Sequence, residues 1–205
     1  QLTLARSALS QKSVEPHYQQ KVDLETGRVA GLEALLRWRH VTRGIQLPET
    51  VGEAFKDYEL ATRIGDLMQR QVLRDLRGWL NESLPVGFVA INAAPAEFLR
   101  DDFAEQLLRK IEEADVPAWM IEIEVTEHVF LEGAAQYVAR ALDALNKAGV
   151  RIALDDFGTG YSSLSHLRDF PVDVVKIDRS FVSKMTSDME VRSIVSAVID
   201  LARSL

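Results

Sequence analysis

The chain has 205 residues, of which 47% are hydrophobic and 27% charged, and its formal net charge is −7 at pH 7. This is the composition of a folded globular domain, and the negative charge excludes a basic surface for nucleic-acid polymers or acidic membranes. The sequence contains no cysteine, which excludes disulfides, thiolate metal sites and a cysteine nucleophile.

The N-terminal part of the chain predicts a helix followed by a hairpin. Residues 2–9 have the pattern of a helix end, and we assign residues 1–15 to an N-terminal linker helix. Extended segments at 17–23 and 28–38 are joined by a short turn that contains Gly27. Such a turn predicts a β-hairpin, so that the first strand is antiparallel to the second.

The rest of the chain predicts strands that alternate with helices. Residues 48–80 have helical apolar spacing and predict two helices, with Pro48 near the first N-terminus. Further strands are predicted at 87–93, 120–126, 151–156 and 172–178, and helices at 102–114, 134–148, 163–168 and 191–204. Repeated strand–helix units of this length indicate a parallel sheet covered by helices.

The number of strands leaves two architectures open. Six strands are predicted, whereas a closed (β/α)₈ barrel needs eight strands and about 250 residues. We favour a TIM-like (β/α)₈ barrel with an antiparallel first strand, whose C-terminal strands are missing from this chain. An open α/β sheet is the alternative.

Oxygen-bearing side chains stand near the C-terminal ends of the predicted strands, where α/β folds keep their active sites. They are Glu33, Asn92, Glu124, Asp155 and Asp156. Carboxylates that converge inside a sheet repel one another unless cations lie between them. Hard oxygen donors favour Mg²⁺ or Mn²⁺, and the adjacent aspartates let one carboxylate bridge two ions.

One acidic residue is left out of this predicted site. Alternation between residues 121 and 127 places Glu122, Glu124 and Thr126 on one face of a strand. For Glu122 alone we retain the simpler interpretation, which is a solvated position on that face.

Four motifs follow one another along the chain: Glu-Ala-Leu-Leu-Arg-Trp at Glu33, Glu-Val-Thr-Glu at Glu124, Asp-Asp-Phe-Gly-Thr-Gly-Tyr-Ser-Ser at Asp155 and Val-Lys-Ile-Asp at Val175. In this order they resemble the EAL family of cyclic di-GMP phosphodiesterases, and the resemblance covers about residues 16–205. A single three-letter motif recurs by chance, but four ordered motifs at strand ends are specific.

The resemblance implies a role for each site residue. Glu33, Asn92, Glu124 and Asp155 surround one metal, and Asp155 and Asp156 serve a second. Three residues, Lys176, Glu127 and Asp156, form the catalytic group: Lys176 orients or polarises the attacking water, and Glu127 holds the signature loop.

The resemblance also implies the substrate and its contacts. Gln19 and Arg37 contact a guanine and a phosphate, and Leu35 and Asp178 line the substrate site. The implied reaction is in-line attack of water on one phosphodiester bond of cyclic di-GMP, which gives linear pGpG.

Two departures from the family pattern bear on this interpretation. Phe55-Lys56 stands where Ala-Glu is usual, and we expect this change to affect packing or dimer contacts only. Family members also continue into a Glu-Gly-Val-Glu block and a strand with a substrate-contacting Gln, which this sequence lacks. The activity of the fragment alone is therefore left open.

Two other functions fit a barrel with acids at its strand ends. A degenerate relative binds cyclic di-GMP as a receptor without cleaving it, and a different metal-assisted enzyme, such as an enolising lyase, has similar acids. All five predicted metal ligands are present, which favours the phosphodiesterase over the receptor. Arg37 and the signature loop argue against the lyase through the resemblance alone.

The expected surroundings of the domain follow from the same reasoning. The family suggests a homodimer and an upstream sensor or diguanylate cyclase domain in the parent protein. The sequence has no apolar run of membrane-spanning length and no signal-peptide pattern. We therefore expect a cytoplasmic domain without membrane contact of its own, in a parent protein that is either soluble or membrane-anchored.

Overall fold

The computed structural model describes residues 1–11, 13–130, 135–158 and 164–204, with side chains except at 135 and 164–166. The starts predicted for helices at 134 and 163, and residues 159–163 of the signature motif, lie outside the described residues.

The described residues form alternating strands and helices close to the predicted positions. The strands are β1 Val14–Val22, β2 Val29–His40, β3 Gly44–Gln46, β4 Val89–Asn92, β5 Ile121–Thr126, β6 Arg151–Phe157 and β7 Val174–Ile177. The α-helices are α1 Leu2–Ser10, α2 Tyr58–Asn81, α3 Phe103–Glu113, α4 Ala135–Lys147, α5 Leu164–Asp169, α6 Arg179–Val182 and α7 Met189–Ser204. Short 3₁₀ segments cover Pro48–Phe55, Pro95–Leu99, Ala118–Met120 and Glu127–Phe130.

The sheet has the predicted topology. Its strand order is β1-β2-β4-β5-β6-β7, with β1 antiparallel to β2 and the later neighbours parallel. This confirms the α/β class and the antiparallel first strand. Over the described residues the sheet is not closed, and β1 and β7 are its edges.

Two short elements were not predicted. β3 adds three residues to the end of β2 through a turn at Gly44, whose φ of +69° suits glycine. α6 is a single turn that begins after Asp178, whose side chain accepts a hydrogen bond from the Ser180 N–H at 2.9 Å. Elements this short carry too few residues to show a hydrophobic period.

Helix α2 connects the two hydrophobic clusters of the described residues. Its start is capped by Asp57, which accepts a hydrogen bond from the Leu60 N–H at 2.9 Å. Leu60 lies in one cluster with Trp38 of β2, and Leu76 lies in the larger cluster, against β4, β5 and α3. The helix therefore contributes apolar residues to both clusters.

Candidate active site at the carboxyl ends of the strands

Lys176 of β7 lies at the centre of the predicted acidic site. Its Nζ is 2.5 Å from Glu124 Oε2, 2.9 Å from Asp155 Oδ2 and 3.5 Å from Glu33 Oε2. The three carboxylates come from β5, β6 and β2, and the side chain of Glu124 is completely buried. Parallel strands bring their carboxyl ends to the same edge of a sheet, which is why residues so distant in sequence meet.

Asn92 completes this group from β4. Its Nδ2 donates a hydrogen bond to Glu33 Oε1 at 3.3 Å, and the sheet register places it directly beside Glu124. Five predicted residues, Glu33, Asn92, Glu124, Asp155 and Lys176, are thus in mutual contact or adjacent in register.

The two adjacent aspartates form a β-bulge in β6. Leu154 pairs with Val175 and Phe157 with Ile177, so that two residues, Asp155 and Asp156, stand opposite Lys176 alone. Such an extra residue bends a strand and redirects its side chains. Asp156 has a left-handed φ of +55°, and its N–H donates to Asp155 Oδ1 at 2.9 Å. Asp155 therefore faces Lys176 with its other oxygen.

Asp156 lies between two other acids. Burial, then the charges of Asp155 and Asp178, raises the pKa of the Asp156 carboxyl above its ordinary value. The pKa of the half-buried Asp178 is lowered, chiefly by the hydrogen bonds from the Ser180 hydroxyl and N–H. This part of the site concentrates negative charge and favours a cation.

The charges around Lys176 oppose the effects of burial. Burial raises the pKa of Glu124, and the ammonium groups of Lys176 and Lys21 oppose that rise. Burial would lower the pKa of Lys176, but the charges of Glu124 and Asp155 outweigh it, so that this pKa is raised. Lys176 is therefore a protonated hydrogen-bond donor inside the site.

The remaining predicted residues lie around this group. Gln19 of β1 is exposed and pairs in register with Glu33, and Arg37 lies further along β2, where its guanidinium donates to the Leu36 carbonyl at 2.8 Å. Glu127 is buried in the 3₁₀ segment that follows β5. Leu35 lines a cavity of about 380 Å³ together with Glu33, and the walls of this cavity are mainly apolar.

Two charged residues of the site were missed or misinterpreted from the sequence. Lys21 of β1 binds Glu124 Oε1 at 2.5 Å and Glu122 Oε1 at 2.7 Å. The solvated position expected for Glu122 is wrong, because its side chain is only 1% exposed. Polar residues alternate along both strands, but the same alternation occurs on sheets that face water, so the pattern alone did not reveal the contact.

The donor set fits hard divalent cations. Every predicted ligand offers oxygen, and three of the carboxylates lie within 3.5 Å of one ammonium group, that of Lys176. Within the described ranges, no three acidic or histidine side chains already form a ligand set around one point. Binding of an ion would therefore require small side-chain movements around Lys176.

None of the helices in the described parts of the chain is long and apolar enough to cross a membrane.

Comparison with known proteins identifies the family to which these features correspond. The sequence profile of the EAL domain matches residues 4–205. The chain is 34% identical over 200 residues to the cyclic di-GMP phosphodiesterase NbdA of Pseudomonas aeruginosa, covering 98% of this chain and 25% of that protein. It is 35% identical over 204 residues to MucR of the same organism, a bifunctional diguanylate cyclase/cyclic di-GMP phosphodiesterase, covering 98% of this chain and 29% of MucR.

A solved structure shows the same fold. The PaMucR phosphodiesterase in complex with c-di-GMP superimposes with a TM-score of 0.90 at 32% identity, covering 99% of this chain and 82% of that one. The curated relatives are much longer, and this chain spans about a quarter to a third of their length.

Proposed function

The chain belongs to the EAL domain family, and from this membership and the site geometry we propose that it hydrolyses cyclic di-GMP to linear pGpG. The observation that carries the proposal is the contact of one ammonium group, Lys176 Nζ, with carboxylates from three other strands. The carboxylates outnumber the ammonium groups that contact them, and bound divalent cations would offset the excess negative charge and allow an anionic substrate to approach.

The proposed cofactors are two Mg²⁺ or Mn²⁺ ions. The residues that would hold them are Glu33, Asn92, Glu124, Asp155 and Asp156. When bound, such ions activate water and stabilise charge on the attacking and leaving oxygens of the phosphoryl group. The oxygen-only donor set supports this choice over softer metals.

Lys176 is proposed to orient the attacking water. Its raised pKa keeps the ammonium protonated, so that it offers N–H donors where the acids converge. Glu127, buried directly after β5, is proposed to hold the start of the signature loop.

The substrate is proposed to lie across the ends of β1 and β2. Gln19 and Arg37 would contact a guanine and a phosphate, while Leu35 and Asp178 line the site. The cavity of about 380 Å³ beside Leu35 and Glu33 has the size and apolar lining of small-molecule pockets.

The wider protein is proposed to be a cytoplasmic signalling protein that acts as a homodimer. The name of MucR, which combines cyclase and phosphodiesterase activities, supports a further sensor or diguanylate cyclase domain in the parent protein. No nucleic-acid polymer or membrane surface is proposed as a partner of this domain. A role as a receptor without turnover is not favoured, because all the predicted ligands are present.

The test is turnover by the parent protein and by this chain alone. Each is incubated with cyclic di-GMP and Mg²⁺ or Mn²⁺, and pGpG is measured by chromatography. We expect Asp155→Asn to lower kcat at least about 100-fold, because it removes a ligand charge, while circular dichroism stays unchanged. Asp143→Asn, at an exposed position on α4, is the matched control. Tight binding of cyclic di-GMP by the parent protein without any pGpG would identify a receptor instead.

A further inference from the structure

Lys21 lies inside the sheet although it belongs to the edge strand β1. It pairs in register with Gly31, a position where a Cβ atom would come within 2.7 Å of the Phe88 ring. The Lys21 ammonium lies 5.5 Å from the centre of that ring. The side chain is 24% exposed and reaches past β2 and β4 to two carboxylates of β5.

These two carboxylates are the most deeply buried acids of the group. Glu122 and Glu124 are two residues apart and therefore face the same side of β5. Lys21 lies between them, at 2.7 Å from Glu122 Oε1 and 2.5 Å from Glu124 Oε1. Arg151 approaches the other oxygen of Glu122 at 3.4 Å. The interior thus has a row of alternating charges that ends at Lys176.

Each oxygen of Glu124 has a different partner. Oε1 accepts from Lys21, and Oε2 accepts from Lys176. The contact of Lys21 with one oxygen restrains rotation of the carboxylate and leaves the other oxygen directed at Lys176, whose ammonium also contacts Asp155 and Glu33. Hydrogen bonds of this kind orient metal ligands, and their loss typically weakens metal binding 10- to 100-fold.

We propose that Lys21 is a positioning residue that orients Glu124 for binding of a divalent metal. It acts through Glu124 and does not touch the substrate. The inference rests on the proposed function in one respect, namely that Glu124 is a metal ligand.

Removal of Lys21 has two possible effects on Mn²⁺ affinity, and they have opposite signs. A cation near a metal site repels the incoming ion, so if Lys21 contributes only its charge, its removal would tighten Mn²⁺ binding. If Lys21 orients Glu124, its removal would weaken Mn²⁺ binding. The direction of the change in affinity therefore separates the two roles.

The experiment measures Mn²⁺ affinity of the full chain, without substrate, by electron paramagnetic resonance. Lys21→Met removes the ammonium and retains most of the side-chain volume. We expect Kd for Mn²⁺ to rise about 10- to 100-fold. Lys56→Met, at an exposed lysine far from the sheet interior, is the control and should leave Kd unchanged. An equal or lower Kd for Lys21→Met would overturn the proposal.

A second variant controls for misfolding of Lys21→Met. Lys21→Met leaves two buried carboxylates without their shared cation, which destabilises the fold. Lys21→Met/Glu122→Gln removes one positive and one negative charge together, and thermal unfolding will show whether it is folded. We expect this variant to be folded and still to bind Mn²⁺ about 10-fold or more weakly. Wild-type affinity in the folded double variant contradicts a positioning role.

Turnover separates this inference from the proposed function. In the parent protein, excess Mn²⁺ should restore kcat of Lys21→Met, whereas KM for cyclic di-GMP should change little. A kcat that stays low at saturating Mn²⁺ counts against action through metal binding. Wild-type protein that binds Mn²⁺ but gives no pGpG counts against the proposed function alone, because the Mn²⁺ comparison requires no substrate.

Discussion

Glu97 is a buried acid in the 3₁₀ segment Pro95–Leu99, and it lines the cavity beside Leu35 and Glu33. It is 4% exposed and accepts a hydrogen bond from the Ala94 N–H at 2.9 Å, while Gln69 lies 3.4 Å away. Gly65 of α2 leaves room for it, since a Cβ there would lie 1.9 Å from Glu97 Oε2. Burial raises the pKa of Glu97 from 4.5 to about 8, against the opposing effects of the Ala94 N–H and Lys110.

This raised pKa predicts a pH dependence of stability. The folded state holds a proton on Glu97 that the unfolded state releases, so the contribution to stability is full below pH 4.5 and falls until about pH 8. Glu97→Gln should remove this part of the dependence. Urea unfolding between pH 4 and 9 measures it, with Glu105→Gln, exposed on α3, as control. Parallel pH profiles for wild type and Glu97→Gln would contradict the prediction.

At the same scale, the sequence predicted the acids better than their partners. Asn92 and Asp155 follow apolar strand segments, and Glu33 and Glu124 alternate with apolar residues in strands expected to be covered by helices, so that these polar residues stand out. Lys21 did not stand out, because its contact joins β1 to β5, which are separated by two strands in the sheet, and so depends on the curvature of the sheet. Sheet curvature arises from tertiary packing, which local alternation does not encode.

At the scale of elements, helix α2 offers a direct test of capping. Asp57 satisfies the Leu60 N–H at the first turn, so Asp57→Ala should lower the free energy of unfolding by about 1 kcal/mol. Arg63→Ala, which removes an exposed ion-pair partner on the same helix, should change it by no more than about 0.5 kcal/mol. Urea denaturation of both variants measures the difference. Equal losses in the free energy of unfolding would show that the cap contributes no more than the exposed ion pair.

The long elements were predictable, whereas some of the shortest ones were not. Periodic apolar residues identify α2, α3 and α4, and the turn at Gly27 identifies the hairpin. By contrast, β3 and α6 have only three and four residues, too few to show an apolar period, although the 3₁₀ segment Pro48–Phe55 lies where a helix was predicted. The β6 bulge was equally invisible, since nothing in Asp155-Asp156 shows that two residues oppose one.

At the scale of the whole molecule, α2 couples the two hydrophobic clusters. Leu60 and Leu76 are almost completely buried at opposite ends of the helix, one in each cluster. Trp38 belongs to the first cluster, and Trp79 packs against the second. Because one continuous helix joins them, the clusters should unfold together.

Paired core substitutions test this coupling. Leu60→Ala and Leu76→Ala should each lower the free energy of unfolding by about 2–5 kcal/mol. Fluorescence of single-tryptophan variants that retain Trp38 or Trp79 should report the same urea midpoint in each case. Met189→Ala, at a position 79% exposed, should leave that midpoint unchanged. Separate midpoints for the two tryptophans would show that the clusters unfold independently.

The left-handed backbone at Asp156 determines how its role can be studied by mutation. Alanine at this position would combine loss of the carboxylate with backbone strain of about 1–2 kcal/mol, so that a dead variant would be ambiguous. Asparagine tolerates this conformation and removes only the charge, and glycine tolerates it and removes the whole side chain. A routine alanine scan would thus overstate the chemical importance of Asp156. Comparison of the asparagine and glycine variants distinguishes the effect of the carboxylate from that of the left-handed backbone.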